Sequence, residues 1–153
     1  MTDSHDCEYR LDNQIGFLLR RAHQYASLVF QKHIPPASLT PPQFSALFVI
    51  HKNRDITQNK LGRMIDTDAA TIQGIVKRLV ERGYVERSLD ETHRRKLKLR
   101  LSPAGLKTLM AAIPSAHHIS EITLKELSKH ERDQLLALLA KMVGRRDKAL
   151  QQG

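Results

Sequence analysis

The chain has 153 residues, enough to bury one sizeable core and too few for two large independent domains. Hydrophobic residues make up 41% and charged residues 27% of the sequence, so the composition excludes a wholly disordered chain. The 25 Lys and Arg outnumber the 16 Asp and Glu, giving a formal charge of +9, which predicts a polyanionic partner, with nucleic acid favoured over an acidic membrane surface.

Residues 1–10 are predicted to form a flexible N-terminal tail. This segment has neither the basic region nor the apolar run of a secretory signal, and no later segment reaches the ~18 apolar residues that a membrane span needs. The single cysteine, Cys7, has no internal disulfide partner. We therefore expect a cytoplasmic protein with no membrane partner.

Two helices are predicted in the first third of the chain. Apolar residues recur at three- and four-residue steps between Leu11 and His33, which indicates an amphipathic helix that Pro35-Pro36 ends. Thr40 followed by Pro41 is typical of a helix N-cap and first position. One face of the second helix is expected to carry Phe44, Leu47, Phe48 and His51.

A helix-turn-helix is predicted next. Thr57 can cap a short helix that carries Leu61, Met64 and Ile65, and residues 66–68 form a turn. The following helix ends at Gly83, and its inner face is predicted to consist of Ile72, Ile75, Val76 and Leu79.

After Gly83 the hydrophobic period changes from about 3.6 to 2, which indicates a β-hairpin. Residues 84–87 and 96–101 are the two predicted strands, with 88–95 as the hairpin tip. The leucines of the second strand are expected to face a core and its basic residues to face out. Ser102-Pro103 then begins a helix with a kink or break at Pro114, and Ser128 opens a last helix through a capping box with Glu131.

This order of elements predicts a mainly α fold with a small β-hairpin wing, a winged helix-turn-helix embedded in a helical dimerisation frame. Residues 36–102 would be the DNA-binding region, residues 11–35 and 103–147 the dimerisation helices, and residues 148–153 a C-terminal tail. The apolar stripes of the first and last helices exceed what so small a central domain can cover, which predicts a homodimer.

Several short motifs resemble the MarR family of bacterial transcriptional regulators. They are residues 56–61, Thr71, Val76, Arg78-Leu79, residues 82–87, Asp90, Arg94-Arg95 and residues 101–105. Leu39-Thr40, Gln43 and the terminal helices fit the same pattern, so the resemblance covers about residues 11–145. It implies a homodimer in which each winged domain reads half of a pseudo-palindromic operator in double-stranded DNA.

The outer face of the helix before Gly83 is the predicted DNA reader, because small and hydrogen-bonding side chains there suit a major groove. An ordinary solvated helix face is the alternative interpretation. Gly74 would permit close approach of the backbone to DNA, at a cost of about 1 kcal/mol in helix propensity. The predicted contacts are Ala70, Thr71, Gln73, Gly74, Lys77 and Arg78.

The hairpin tip is the second predicted DNA contact. Arg94, Arg95 and Lys96 are suited to a minor groove, whose negative potential attracts arginine. The resemblance implies an acidic residue two places before the inserted arginine, where this chain has His93. Either Asp90 takes over that support, or the wing is looser. Arg87, Lys98 and Arg100 are interpreted as phosphate contacts or ordinary solvated charges.

The resemblance implies control by thiol oxidation, a metal or a small ligand. Peroxide-sensing relatives would have a reactive cysteine in place of Gly16 and a tyrosine in place of Arg20. The acidic neighbours of Cys7 disfavour a reactive thiolate, so Cys7 is interpreted as a bystander. His117 and His118 point to different sides of a helix, and without a dense Cys/His cluster we expect no metal and no cofactor.

A small aromatic carboxylate is the predicted effector. A guanidinium pairs bidentately with a carboxylate while aromatic side chains cover the ring. As an alternative interpretation, Phe44 and Phe48 simply belong to the core, and His51 caps the C-terminus of its helix. The predicted ligand residues lie on helices that the resemblance places around a pocket: Arg20, His23, Phe44, Phe48 and His51.

Enzymatic activity is not expected, because the sequence contains no P-loop, nucleophile elbow, zinc-protease or dinucleotide-binding motif. The predicted function is a ligand-released DNA-binding repressor. A redox sensor using Cys7, a metal sensor of the same fold and a non-specific architectural DNA-binding protein remain the alternatives.

Overall fold

The computed structural model describes residues 10–35, 39–90, 92 and 96–150, with side chains up to residue 144. A 3-10 turn, Leu11–Asn13, precedes α1 (Ile15–His33), α2 (Pro41–Asn53), β1 (Ile56–Thr57), α3 (Gln58–Met64), α4 (Ala69–Glu81), β2 (Val85–Leu89), β3 (Leu97–Leu101), α5 (Pro103–Thr123) and α6 (Lys129–Leu150). Among the described residues, none of these helices is both long and apolar enough to cross a membrane. The chain divides into two compact units, residues 1–119 and 120–153.

The predicted starts of α2, α3 and α6 are confirmed, and at each of them short-range side-chain bonds cap free backbone N–H groups. Thr40 and Gln43 form a reciprocal capping box at α2. Thr57 accepts from the Lys60 N–H at the start of α3. In the second unit, Ser128 and Glu131 form the predicted capping box, with bonds of 2.7 and 3.3 Å.

The strands form a three-stranded antiparallel sheet in the order β1-β3-β2. Val85 lies opposite Leu101 and Leu89 opposite Leu97, so the predicted hairpin is confirmed. The first of the two predicted strands, β2, runs to Leu89, two residues beyond its predicted end. The strand β1, whose Ile56 lies opposite Leu99, was not predicted, because a two-residue strand has no measurable hydrophobic period.

The core of the first unit lies between α2, α3, α4, the sheet and the start of α5. The predicted inner face of α4 is confirmed. The predicted face of α2 is correct only in part, since Leu47 is buried and Phe44 packs against the core, but Phe48 is exposed. Gln43, Ala46 and Ile50 complete the buried face. Apolar residues occupy most of the circumference of α2, so their spacing does not select one face.

Other expectations also need correction. Leu97 is 49% exposed, because it lies at the end of β3 near the hairpin tip and away from the core around Leu99. Met64 is exposed at the last residue of α3. The chain from Leu11 forms a separate 3-10 turn before α1. Of the two alternatives predicted at Pro114, a kink or a break, the break is wrong, because α5 continues through this residue.

The junction between α4, the hairpin and α5 is tightly built. Gly83 has a φ of +73° and ends α4 in a Schellman motif, with the Gly83 N–H bonded to the Val80 carbonyl and the Tyr84 N–H to the Leu79 carbonyl. The Ser102 hydroxyl donates to the Gly83 carbonyl and accepts from the Gly105 N–H. The Ser102 N–H also bonds the Tyr84 carbonyl. The start of α5 is thereby fixed against the hairpin.

Both terminal helices expose apolar side chains. In the first unit, the region from Leu11 to α1 exposes Leu11, Ile15, Leu18, Leu19, Tyr25 and Leu28. In the second unit, α6 exposes Leu135, Leu136, Leu138, Met142 and Val143. Exposed apolar side chains grouped in this way are typical of a surface that another protein surface covers.

Candidate DNA-binding surface and ligand cavity

The outward-facing side of α4 has the predicted composition. Ala70, Thr71, Gln73, Lys77 and Arg78 are exposed, as the inward placement of Ile72, Ile75, Val76 and Leu79 requires. Gly74 is half-buried, and a Cβ added there would meet no atom within 4 Å. The orientation of this face is therefore confirmed, and contact of its residues with DNA stays a prediction.

Asp68 organises the first turn of α4. One carboxylate oxygen accepts from the Thr71 N–H at 2.9 Å, and the other accepts from the Thr71 hydroxyl at 2.6 Å. These two bonds lower the pKa of Asp68, so the cap carries a negative charge at neutral pH. At the other end of the face, Lys77 forms an exposed ion pair with Glu81 at 3.9 Å.

A basic groove of about 570 Å³ separates α3 and α4 from the hairpin. It brings together two predicted DNA-binding residues, Gln73 and Lys96, although they lie 23 positions apart in the sequence. Arg63 and Arg87 add two guanidinium groups to its wall. Arg63 was not among the predicted DNA-binding residues, because its sequence signal is only that of a basic residue on the polar side of a short helix. The remaining walls consist of Thr57, Gln58, Asn59, Leu97 and Leu99.

Asp90 stabilises the described base of the hairpin tip. Its side chain accepts from the Thr92 N–H and hydroxyl, and it pairs with the Lys98 ammonium at 3.2 Å. The Thr92 hydrogen bonds, with help from Lys98, hold the pKa of Asp90 well below its usual range. His93, Arg94 and Arg95 lie outside the described residues, as does Cys7, so the support of Arg95 by Asp90 stays a prediction.

Arg100 pairs with the turn between α2 and β1. Its Nη2 donates to one Asp55 carboxylate oxygen at 2.8 Å and its Nε donates to the other, which makes the pair bidentate. The hydrogen bond from Arg100 lowers the pKa of Asp55. Arg100 is therefore more than a solvated charge, because it connects β3 to the end of α2.

A second cavity, of about 640 Å³, lies beside this ion pair. Its polar wall contains His51, Arg54, Asp55, Arg100 and Ser102. Its apolar wall contains Ile50, Leu101, Pro103 and Leu106. Cationic groups facing apolar side chains suit a small aromatic anion. Of these cavity residues, only His51 was predicted to bind the ligand.

The single chain does not gather the five predicted ligand residues. Phe44 stacks on Phe48 with ring centroids 6.4 Å apart, and both line a smaller cavity of about 280 Å³ that excludes His51. Arg20 and His23 are exposed on α1, and the Arg20 guanidinium lies 5.4 Å from the Phe17 ring. Only His51 of the predicted set lines the 640 Å³ cavity.

The histidines do not form a metal centre in the described part of the chain. His33 and His118 meet edge to face with ring centroids 5.9 Å apart. Within the described residues, no three His, Cys, Asp or Glu side chains are placed to hold one metal ion.

Known proteins resemble this chain in both sequence and fold. A model of the MarR family matches residues 37–96. The transcriptional repressor NicR of Pseudomonas putida is 38% identical over 135 residues, which cover 88% of this chain and 85% of NicR. A crystal structure of a probable transcriptional regulator from Pseudomonas aeruginosa has 43% identity and a TM-score of 0.84, covering 87% of this chain and 99% of that one.

A further solved structure is that of BpsR from Bordetella bronchiseptica, whose DNA binding is regulated by 6-hydroxynicotinic acid. It is 33% identical to this chain, with a TM-score of 0.83, and the match covers 88% of this chain and 96% of BpsR. The winged-helix fold thus extends over nearly the whole of both proteins.

Proposed function

Because the chain belongs to the MarR family of transcriptional regulators, we propose that it is a homodimeric repressor that binds a pseudo-palindromic operator and is released by a small aromatic carboxylate. Its relatives and its fold are those of transcription regulators rather than enzymes. DNA binding is proposed from one observation, which is that the polar outer face of α4 lies beside a groove lined by Arg63, Arg87 and Lys96. A helix of this kind suits the major groove, and the flanking cations suit phosphates.

The 640 Å³ cavity supports the choice of effector. His51, Arg54 and Arg100 supply groups that bind a carboxylate, and the apolar wall supplies contact for a ring. BpsR, which responds to a pyridine carboxylate, supports the same ligand class. Arg20 and His23 remain proposed contributors from the exposed face of α1.

We expect single substitutions to distinguish residues that read the base sequence from residues that bind phosphates. Gln73→Ala should weaken operator binding by about 1–3 kcal/mol and leave binding to random DNA nearly unchanged, because a base contact is lost. Lys96→Ala should weaken both and reduce the salt slope by about one ion per subunit, because each protomer loses a phosphate contact. Fluorescence anisotropy at several salt concentrations, on an operator selected from random DNA, measures both effects. Equal losses on operator and random DNA for Gln73→Ala would contradict the assignment and favour an architectural DNA-binding protein.

Effector release is expected to depend on Arg20 and not on Cys7. Benzoate, salicylate and 6-hydroxynicotinate, titrated against the protein–operator complex, should include a compound that lowers operator affinity at least tenfold, equivalent to about 1.4 kcal/mol of coupling. Arg20→Ala should keep operator binding but respond more weakly, whereas Cys7→Ser should match the wild type. Peroxide and zinc are run in parallel. Release by peroxide that requires Cys7, or by zinc, without any carboxylate response would replace this effector with a redox or metal signal.

A further inference from the structure

We propose that the effector's carboxylate takes the place of the Asp55 carboxylate on the Arg100 guanidinium, and that this exchange transmits ligand binding to the wing. The inference rests on the proposed function, since it takes an aromatic carboxylate as the ligand. It adds the atom that the ligand displaces and the path by which the displacement reaches the DNA-binding surface.

The ion pair is accessible from the cavity. Asp55 and Arg100 both line it, with side chains 32% and 60% exposed. Ion pairs at this level of exposure are weak, because water solvates both charges when they separate. An aromatic carboxylate offers Arg100 the same two oxygens as Asp55, and its ring gains contact with Leu101 and Leu106 on the apolar wall. The ligand therefore has an additional favourable interaction that Asp55 lacks.

The turn that Asp55 occupies is ready to move when the pair breaks. Arg54 and Asp55 are consecutive non-glycine residues with positive φ values, 28° and 58°. L-residues adopt this region at a conformational cost, so the surrounding contacts must hold them there. The bidentate bond from Arg100 is one such contact. Its loss permits the turn to relax towards ordinary backbone angles.

Relaxation of this turn acts directly on the wing. Asp55 immediately precedes β1, and β1 pairs with the centre of β3 through Ile56–Leu99 and Thr57–Lys98. Lys98 in turn holds Asp90 at the base of the hairpin tip. The path from the cavity to the tip therefore passes through two residues of one strand, Arg100 and Lys98. A shift of β3 also displaces Lys96 in the basic groove.

A matched control lies on the neighbouring strand. Glu86 is exposed and faces Arg100 across the β2–β3 ladder. Glu86→Gln removes a carboxylate from the same neighbourhood, as Asp55→Asn does, but leaves the bidentate pair in place. A general effect of removing negative charge would change probe binding and operator affinity to the same extent in both variants. The exchange predicts a change only in Asp55→Asn.

The experiment measures 6-hydroxynicotinate binding and its effect on operator affinity for the full-length wild type, Asp55→Asn, Glu86→Gln, Arg100→Lys and Arg100→Ala. Asp55→Asn should bind the probe about threefold or more tightly, because no carboxylate competes, while the probe should change its operator affinity less than twofold. Arg100→Ala should lose at least about tenfold in probe affinity. Arg100→Lys keeps the charge without the planar fork and should lie between Arg100→Ala and the wild type. Glu86→Gln should behave as wild type in both measurements.

Each of the following outcomes overturns the inference. Weaker probe binding by Asp55→Asn would make Asp55 a direct ligand contact, and unchanged coupling in that variant would place the signal elsewhere. If the wild type binds none of the three carboxylates named above, 6-hydroxynicotinate included, the effector proposal fails and the exchange fails with it. If the wild type binds 6-hydroxynicotinate and is thereby released from the operator, and Asp55→Asn behaves the same way in both measurements, only the exchange proposal fails.

Discussion

Gly105→Ala is expected to lower the free energy of unfolding by about 3 kcal/mol or more, because the new methyl group would overlap the backbone of Tyr84. A Cβ at Gly105 would overlap the Tyr84 carbonyl oxygen and lie 2.8 Å from the carbonyl carbon. Neither the start of α5 nor the backbone of Tyr84 can shift easily to make room for the methyl group. The Ser102 bonds fix the start of α5, and the Schellman motif fixes Tyr84. Urea denaturation followed by circular dichroism measures the loss.

Gly74→Ala is the control for Gly105→Ala, with the opposite expected sign. No atom lies within 4 Å of a Cβ there, and alanine is favoured over glycine inside a helix, so stability should rise by up to about 1 kcal/mol. If Gly74 serves close approach to DNA, the same variant should bind operator more weakly. Equal stability changes at Gly105 and Gly74 would mean that the hairpin–α5 junction adjusts to the extra methyl group.

A charged residue on α6 is expected to abolish both dimerisation and high-affinity operator binding. Leu138 is 63% exposed, and an aspartate there would have to be desolvated in the dimer. A monomer binds only one half-site, so we expect Leu138→Asp to reduce operator affinity by about a hundredfold or more. Sedimentation at micromolar concentration and operator titration measure the two effects.

Leu89→Asp provides the matched control for Leu138→Asp. Leu89 is similarly exposed, at 61%, but it lies on the hairpin rather than on a terminal helix. It should sediment as the wild type does. A wild-type protein that is monomeric at micromolar concentration, or a dimeric Leu138→Asp, would contradict the proposed interface.

Local chemistry explains which elements could be predicted. Thr40, Thr57 and Ser128 mark helix starts because a side-chain oxygen and the N–H groups of the next turn lie only two or three residues apart. The alternation after Gly83 likewise reports a hairpin whose partners are close in sequence. These signals need no knowledge of the tertiary structure.

The buried face of α2 and the ligand cavity depend on longer-range contacts. Phe44 and Phe48 have the right spacing for one face, but Phe44 is only partly buried against the core and Phe48 is exposed. The fully buried side of α2 carries Ala46 and Ile50. The cavity joins the end of α2 to β3 through Asp55 and Arg100, which lie 45 residues apart. No periodicity in the sequence encodes that pairing. Leu97 is a second example. Alternation in the sequence predicts which face of a strand a side chain lies on, but not how far the core extends beneath that face.

The Asp68 cap determines what Thr71 can offer to a base. A hydroxyl has one proton, and Thr71 donates it to the Asp68 carboxylate at 2.6 Å, leaving a methyl group and oxygen lone pairs. In a major groove these complement the methyl group of thymine and the amino groups of adenine and cytosine, whereas the guanine O6 and N7 acceptors would meet no donor from Thr71. If α4 reads the major groove as proposed, we expect Thr71 to disfavour guanine at the base that it meets. The hydrogen bond that begins the helix would then also set part of the sequence preference of the protein.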